Sequence, residues 1–332
     1  MSTVGIIANP ASGKDIRRLV SKSRLIPNQE KINHISRILS GLESTGIKNV
    51  LFMPDRSNIS RTAAENHKGV INKRFLNMTM LDDQIDTTKA VAEMIKEKVQ
   101  AIIVLGGDGT SRAAVKAIDN TPLMPLSTGT NNVFPYLIEG TLAGIATGCI
   151  ALKKLPLKKF APKHKLLEVK VNSGVADLAL VDVAISKQKF IGARAIWDIK
   201  SISELFLTFA EPASIGLSAV GGMLSPISRT DQRGLHITLE SENPQSYVKA
   251  PIIPGEIIDV GILNHKIIRE NEIHYIDPKS CTIALDGERS ITVQSNDKIQ
   301  ITLKSNGPNV IDPFATLQES SKMGEFSGPL IF

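Results

Sequence analysis

The chain has 332 residues, of which 42% are hydrophobic, 22% charged and 4% aromatic; this fits a globular protein of about two domains and excludes a disordered chain or a disulfide-stapled miniprotein. The net charge of +6 favours anionic ligands, but it is spread out and lacks aromatic–basic interleaving, so nucleic acid is not an expected partner. Cys149 and Cys281 make neither a disulfide framework nor a zinc site, Ala213 to Ile227 is too short to span a bilayer, and no signal-peptide pattern precedes the first strand, so a cytoplasmic protein with no integral membrane association is expected.

Val4 to Ala8 reads as a first buried strand. The loop after it, Asn9 to Lys14, resembles a phosphate loop but fails the P-loop pattern, because Ala8 and Asp15 stand where Gly and Ser or Thr are needed. Asn28 to Leu42 has apolar residues at 32, 35, 38, 39 and 42, an amphipathic helix stopping near Gly46. Val50 to Met53 is a second strand, 58–69 a weaker helix, Phe75 to Met80 a third strand and Thr87 to Lys98 another helix. Ala101 to Leu105 is an unbroken apolar run, a strand buried on both faces. Gly106-Gly107-Asp108-Gly109-Thr110 breaks it, and Thr110 is placed to cap a helix over 111–118. Pro122 to Leu126 is a short strand leading into Ser127-Thr128-Gly129-Thr130-Asn131-Asn132, and Gly140 to Leu155 is a helix. Strands alternating with helices predict crossover connections and a mainly parallel sheet.

From Lys165 onward β-type runs dominate: 166–171, 176–185, 235–239, 257–263, 273–276, 282–285, 291–293 and 299–303. They predict an all-β domain, with a helical insertion at Ile196 to Phe209. Asp286-Gly287 is a hairpin turn signal, which puts Asp286 and Glu288 at a loop tip. The stretch 306–332 is weakly patterned and is expected to wrap back over the first domain.

Two polar, glycine-bearing loops on adjacent parallel strands would converge on one crevice at the strands' carboxyl ends, where ligands bind in open α/β sheets. Glycines let the backbone approach a phosphate, and a helix start offers free N–H donors. Asp108 would repel a phosphate, so it makes sense there as a proton acceptor for a substrate hydroxyl or as a metal ligand. Hydroxyls and side-chain amides at 127–132 suit phosphate oxygens, ribose hydroxyls and base edges.

Gly106 to Thr110, Gly129 to Asn132, Asp286 to Glu288 and the N-terminal Asn9-Pro10-Ala11-Ser12-Gly13 resemble, in order, motifs of the superfamily of NAD kinases, diacylglycerol kinases and sphingosine kinases. The wording is most similar to the acetoin catabolism protein X-like group of ATP-NAD kinase-like proteins. The resemblance implies an α/β fold plus an all-β one: a Rossmann-like parallel-sheet domain at 1–155, a β-sandwich at 156–305, a segment at 306–332 packing back, and an active site in the interdomain cleft. It implies that Asn9, Gly106, Gly107, Gly109, Thr110, Thr128, Gly129, Thr130, Asn131, Asn132 and Asp286 contact the nucleotide. It makes Asp108 a base or a magnesium ligand and Glu288 a base, with ATP and Mg²⁺ as cofactors and a homo-oligomer by analogy. The expected activity is phosphoryl transfer from ATP to a hydroxyl of NAD or a related small molecule; the alternatives are a lipid kinase, with Ser214 to Ile227 as a pocket for an acyl chain, or a non-catalytic nucleotide-binding protein. One position departs from the pattern: Val133 follows Asn132 where both named branches carry an acidic residue.

Overall fold

Aliphatic runs without a polar break form strands buried on both faces, and β1 (Thr3–Ala8) and β4 (Ala101–Gly106) are buried from end to end. The computed structural model describes residues 2–12, 26–129, 132–172, 174–187, 199–277, 282–287 and 289–327. In it, β1 and β4 pair at the centre of a parallel sheet completed by β2 (Asn49–Phe52), β3 (Asn72–Phe75) and β5 (Leu123–Ser127). The strand order is β3-β2-β1-β4-β5, so the winding direction reverses between β1 and β4. One face carries α1 (Asn28–Thr45), α2 (Ile59–Asn66) and, further along the chain, α5 (Gly140–Ala151); the other carries α3 (Gln84–Lys96) and α4 (Asp108–Val115).

The helix α1 stops where expected, at Gly46, whose φ of 99° is the left-handed conformation a helix C-terminus takes. It lies against α5 at backbone distance: a Cβ on Gly41 would sit 2.2 Å from the Thr141 carbonyl oxygen, and one on Gly144 would sit 2.4 Å from that of Ile38.

After α6 (Leu157–Phe160) the chain becomes antiparallel β. Its strands are β6 (Leu166–Val171), β7 (Gly174–Ala179), β8 (Asp182–Ser186), β9 (Ile202–Leu207), β10 (Gly234–Leu239), β11 (Ser246–Ile253), β12 (Glu256–Ile268), β13 (Ile273–Ile276), β14 (Thr282–Leu285), β15 (Arg289–Thr292) and β16 (Ile299–Lys304). They make a seven-stranded sheet, β11-β12-β10-β9-β8-β14-β15, and a four-stranded one, β13-β16-β6-β7. Leu167, Val169, Ile301 and Leu303 of the smaller sheet meet Val183, Ile185, Phe206 and Ile283 of the larger in one core. A short helix, α7 (Leu217–Leu224), covers the other face of the larger sheet. Beyond β16, Val310 bridges to Leu123 on the edge of β5, and α8 (Pro313–Lys322) lies against α5. The two halves also share a core, in which Leu180, Val181 and Phe209 pack with Ala114, Val115 and Phe134.

Four elements differ from the sequence reading. The third strand is 72–75 rather than 75–80: its partner β2 ends before Pro54, so the ladder stops after the Leu76 amide has donated to the Phe52 carbonyl at 2.9 Å. The helix after β4 starts at Asp108, with Gly107 as its N-cap, and Thr110 lies inside it. The expected insertion at 196–209 contributes β9, because this apolar run is taken up between β8 and β10; its part before 199 is outside the described residues. The run 176–185 divides into β7 and β8, which belong to different sheets.

Replacing Gly144 by Val should destabilise the protein by about 3 kcal/mol, the upper end of overpacking, because the obstacle is main chain and cannot rotate away. Urea unfolding of the variant against wild type checks this.

Candidate functional site

The loops after β1, β4 and β5 run side by side across the point where the winding reverses, the place at which an open α/β sheet forms its binding crevice. Main-chain bonds zip them together: the Asn9 amide donates to the Leu105 carbonyl at 3.1 Å and the Thr128 amide to the Gly106 carbonyl at 3.3 Å. Side chains complete the joint. Asn9 Nδ2 donates to Thr110 Oγ1 at 2.9 Å, Thr128 Oγ1 to Ser12 Oγ at 2.9 Å, and Asn132 Nδ2 to Ser127 Oγ at 2.8 Å. Gly107 lies close under the Asn132 side chain: a Cβ there would lie 2.7 Å from Asn132 Oδ1 and would displace that amide. Thr110, expected to cap its helix, instead accepts from Asn9 and so ties the β1 loop to α4. Asn9, Ser12, Gly107, Gly129 and Asn132 are partly exposed on this joint, whereas Gly106, Gly109, Thr110 and Thr128 are buried in it. Thr130 and Asn131 lie outside the described residues.

Asp108 does not point at open space. Its Oδ1 accepts from the amides of Val133 and Phe134, at 3.1 and 2.8 Å, and its Oδ2 accepts from Val133 at 3.1 Å. The carbonyls of the same two residues face the opposite way and accept from Arg229, through Nη2 to Val133 and through Nη1 to Phe134 at 2.6 Å. Arg229 belongs to the β-sandwich half; Glu211 holds its Nε at 3.0 Å, and the rings of Phe209 and Tyr136 lie 4.6 and 5.2 Å from the guanidinium. On the far side of Phe134 the His164 ring packs edge-on at 5.8 Å. Burial, reinforced by Arg229 and Lys165, holds this histidine down to about 3. Val133, which stands at the departing acidic position, is buried in the core shared by the two halves.

These contacts test whether Asp108 fits a resident magnesium ion. Magnesium demands oxygen ligands in near-octahedral array. Here both carboxylate oxygens face amide hydrogens, and among the described residues no group of three His, Cys, Asp or Glu side chains is disposed to hold a metal. The described side chains therefore make no all-protein cage for the ion, and Asp108 is the described carboxylate of the crevice that could hold it together with the phosphates of a nucleotide.

Asp286 takes a place different from the expected exposed loop tip. The turn forms, with φ of 51° at Asp286 and 70° at Gly287, but the Asp286 side chain is 0% exposed. Its Oδ1 accepts from the amides of Leu180 and Val181 at 3.0 and 2.9 Å, and its Oδ2 meets Arg112 Nη1 at 3.1 Å. Arg112, on α4 and itself 0% exposed, also donates to the Leu285 carbonyl at 2.8 Å. Burial pushes the Asp286 carboxyl up, while Arg112 and the amides favour its charged form. The pair is a latch between the halves, not a surface that a nucleotide can touch. Glu288 lies outside the described residues.

Sequence reasoning missed Arg112, Arg229, His164 and the buried Lys31. Arg112 had a signal, being four residues after Asp108 and so on the same side of its helix; Arg229, in a loop between distant elements, had none.

The family model of the acetoin catabolism protein X C-terminal domain matches residues 165–306, and that of the ATP-NAD kinase N-terminal domain matches residues 4–152. The chain is 35% identical over 331 residues to acetoin catabolism protein X of Cupriavidus necator, covering 96% of this chain and 92% of that one. A solved structure from Bacillus anthracis str. Sterne, assigned as a diacylglycerol kinase, superposes with a TM-score of 0.44 at 13% identity, covering 94% of this chain and 98% of the other.

Replacing Asp286 by Ala should cost about 3–5 kcal/mol in thermal or urea unfolding, because it strands the Arg112 charge in the interior. The double replacement Arg112→Met, Asp286→Ala should recover a large part of that loss. His164 supplies a pH signature. Its folded value, about 3, lies below the ordinary value of about 6.5, so only the unfolded chain takes up its proton between these limits. Its contribution is intact above pH 6.5 and is lost as pH falls. Relative to His164→Phe, wild type should therefore lose about 2 kcal/mol between pH 6.5 and 5, read from urea midpoints at the two values.

Proposed function

The chain belongs to the acetoin catabolism protein X family, and on that premise we propose that it transfers a phosphoryl group from ATP to a hydroxyl of a small molecule, NAD or a related compound, in the crevice at the carboxyl ends of β1 and β4. One observation carries the reading: three strand-end loops meet at the switch point through facing hydroxyls and amides, Asn9 with Thr110 and Ser12 with Thr128. Such groups suit phosphate and ribose oxygens. Gly107 lies at the partly exposed edge of this joint, where main chain can approach a phosphate. NAD is the first acceptor to test because the ATP-NAD kinase N-terminal domain model matches residues 4–152.

Phosphoryl transfer needs positioning and charge stabilisation more than covalent help, and the acceptor proton leaves late. Asp108 suits that demand. Its part is to hold the Val133–Phe134 strap, and with it Asn132, against α4. Asn132 then orients the ligand's polar edge, and Asn9 and Thr110 hold the opposite rim. Magnesium enters no step derived from these residues. The alternative of a lipid acceptor finds little support at 214–227: Ala219 and Val220 of α7 are core residues, and a Cβ on Gly221 would lie 2.3 Å from Leu207.

The test is direct. Purified protein is incubated with ATP, magnesium salt and NAD, and in parallel with diacylglycerol or a sphingoid base, while ADP and phosphorylated product are measured. ADP release that depends on NAD is expected, falling about tenfold in Asn132→Ala, the loss of one good hydrogen bond to a charged group. No product from any acceptor, together with no nucleotide-induced rise in melting temperature, overturns the reading.

A further inference from the structure

The chain crosses from the parallel-sheet half to the sandwich through 162–165, which runs beside 307–310: the His164 amide donates to the Pro308 carbonyl at 2.8 Å, and Lys163 bridges to Asn309. The last two residues of this crossing both bear on the strap. His164 packs behind the Phe134 ring. Lys165, 3% exposed, sends its amine into the turn that carries Arg229. Its Nζ donates to the Arg233 carbonyl at 2.6 Å and to the Ser228 carbonyl at 3.4 Å, the two ends of the 228–233 turn. Arg229 lies between those ends and grips the carbonyls of Val133 and Phe134. The charged groups that act on the amine are Asp231 and Arg233 of the same turn, paired with each other at 2.7 Å, and Glu211, which is held by Arg229. The adjacent His164 is uncharged near neutral pH. An aliphatic side chain would fill this place without the cost of burying an amine. What the amine adds is a proton that can come and go. Burial, opposed by Asp231 and Glu211 and helped by Arg233, holds it down to about 8, so both of its forms are populated just above neutral pH.

We propose that Lys165 is a positioning residue for the crevice: its ammonium draws the ends of the 228–233 turn together, which sets Arg229 on the strap and Asn132 in the crevice, so that nucleotide binding follows the protonation of this one amine. This rests on the nucleotide reading above and adds its regulation by pH. Charge-assisted bonds to carbonyls are roughly twice as strong as neutral ones, so loss of the proton slackens the turn while the side chain still fills its place. A lysine that only filled space would leave the crevice indifferent to pH.

In the experiment ATP is titrated calorimetrically into the full chain at pH 7 and pH 9, wild type against Lys165→Met and Lys165→Arg. In wild type the ammonium fraction falls from about nine-tenths to about one-tenth between these values, so affinity should drop about tenfold. Lys165→Met should bind about tenfold more weakly than wild type at pH 7 and equally at both pH values. Lys165→Arg, charged throughout, should keep wild-type affinity at both. Wild-type affinity that is the same at pH 7 and 9, or a Lys165→Met variant that binds as wild type at pH 7 or keeps the drop, overturns the proposal and leaves the nucleotide site standing. Wild type that binds no ATP at either pH overturns the site reading, and the strap is then followed without ligand through the ¹⁵N amide resonances of Val133 and Phe134. These should titrate with a midpoint of about 8 in wild type and stay fixed in Lys165→Met; resonances fixed in both overturn the action of Lys165 on the strap. Should Lys165→Met fail to melt cooperatively, the same resonances decide the matter with Lys165→Arg as the reference.

Discussion

The geometry of the crevice depends on a two-sided grip on Val133 and Phe134. Asp108 takes their amides and Arg229 takes their carbonyls. The two charges pull at opposite ends of the same peptide dipoles, so each strengthens the other's bonds in a buried setting. The partners come from different halves of the chain, α4 and the loop before β10. The strap is thus a loop of the parallel-sheet domain whose position is set jointly by that domain and by the sandwich. A planar guanidinium suits this task, because its fork addresses two carbonyls at once while its face packs on Phe209 and Tyr136.

Around the strap the fold buries more ionic groups than its stability asks for. Arg112 and Asp286 are both fully enclosed, Lys31 nearly so, and the His164 ring is kept in a place where it cannot charge near neutral pH. A buried ion pair is weak evidence for stability, since well-packed apolar residues of the same volume commonly do as well. Their distribution is more informative than their energy. Arg112 lies on α4 itself, Lys31 holds the loop that α4 meets through Thr110, and His164 backs the ring of Phe134. Buried charge also occurs in the sandwich, at Asp177, Asp182 and His274, but Arg112, Lys31 and His164 bear on the strap and the loops around it, where functional sites are expected to break local rules.

Much of this was legible in the chain. Unbroken aliphatic runs at 101–105 and 4–8 announce strands buried on both faces, and Gly-Gly-Asp-Gly announces the abrupt exit into a helix. The strand alternation of the second half was readable for the same reason, that period-2 patterns survive in a sandwich with one core face. It failed where strands are apolar on both sides: Ile202, Leu205 and Phe206 lie in β9, flanked by strands on each edge, and such a run has the same composition as a buried helix. Asp286 was misplaced because a hairpin signal specifies the turn's backbone and not which way the turn faces. Arg229 was invisible because its partners are 95 and 96 residues away.

The charges also divide the crevice into two sides. The cation lies under the β1 loop, held by the carbonyls of Asn9, Pro10 and Ser12, and the carboxylate lies under the β5 side, held by the amides of Val133 and Phe134. Val133 sharpens this division. An acidic side chain at that position would need solvent or a partner, whereas valine closes the shared core and leaves Asp108 as the carboxylate of that wall. The β5 wall of the crevice is thus apolar around a single described carboxylate whose oxygens are taken up by main-chain amides.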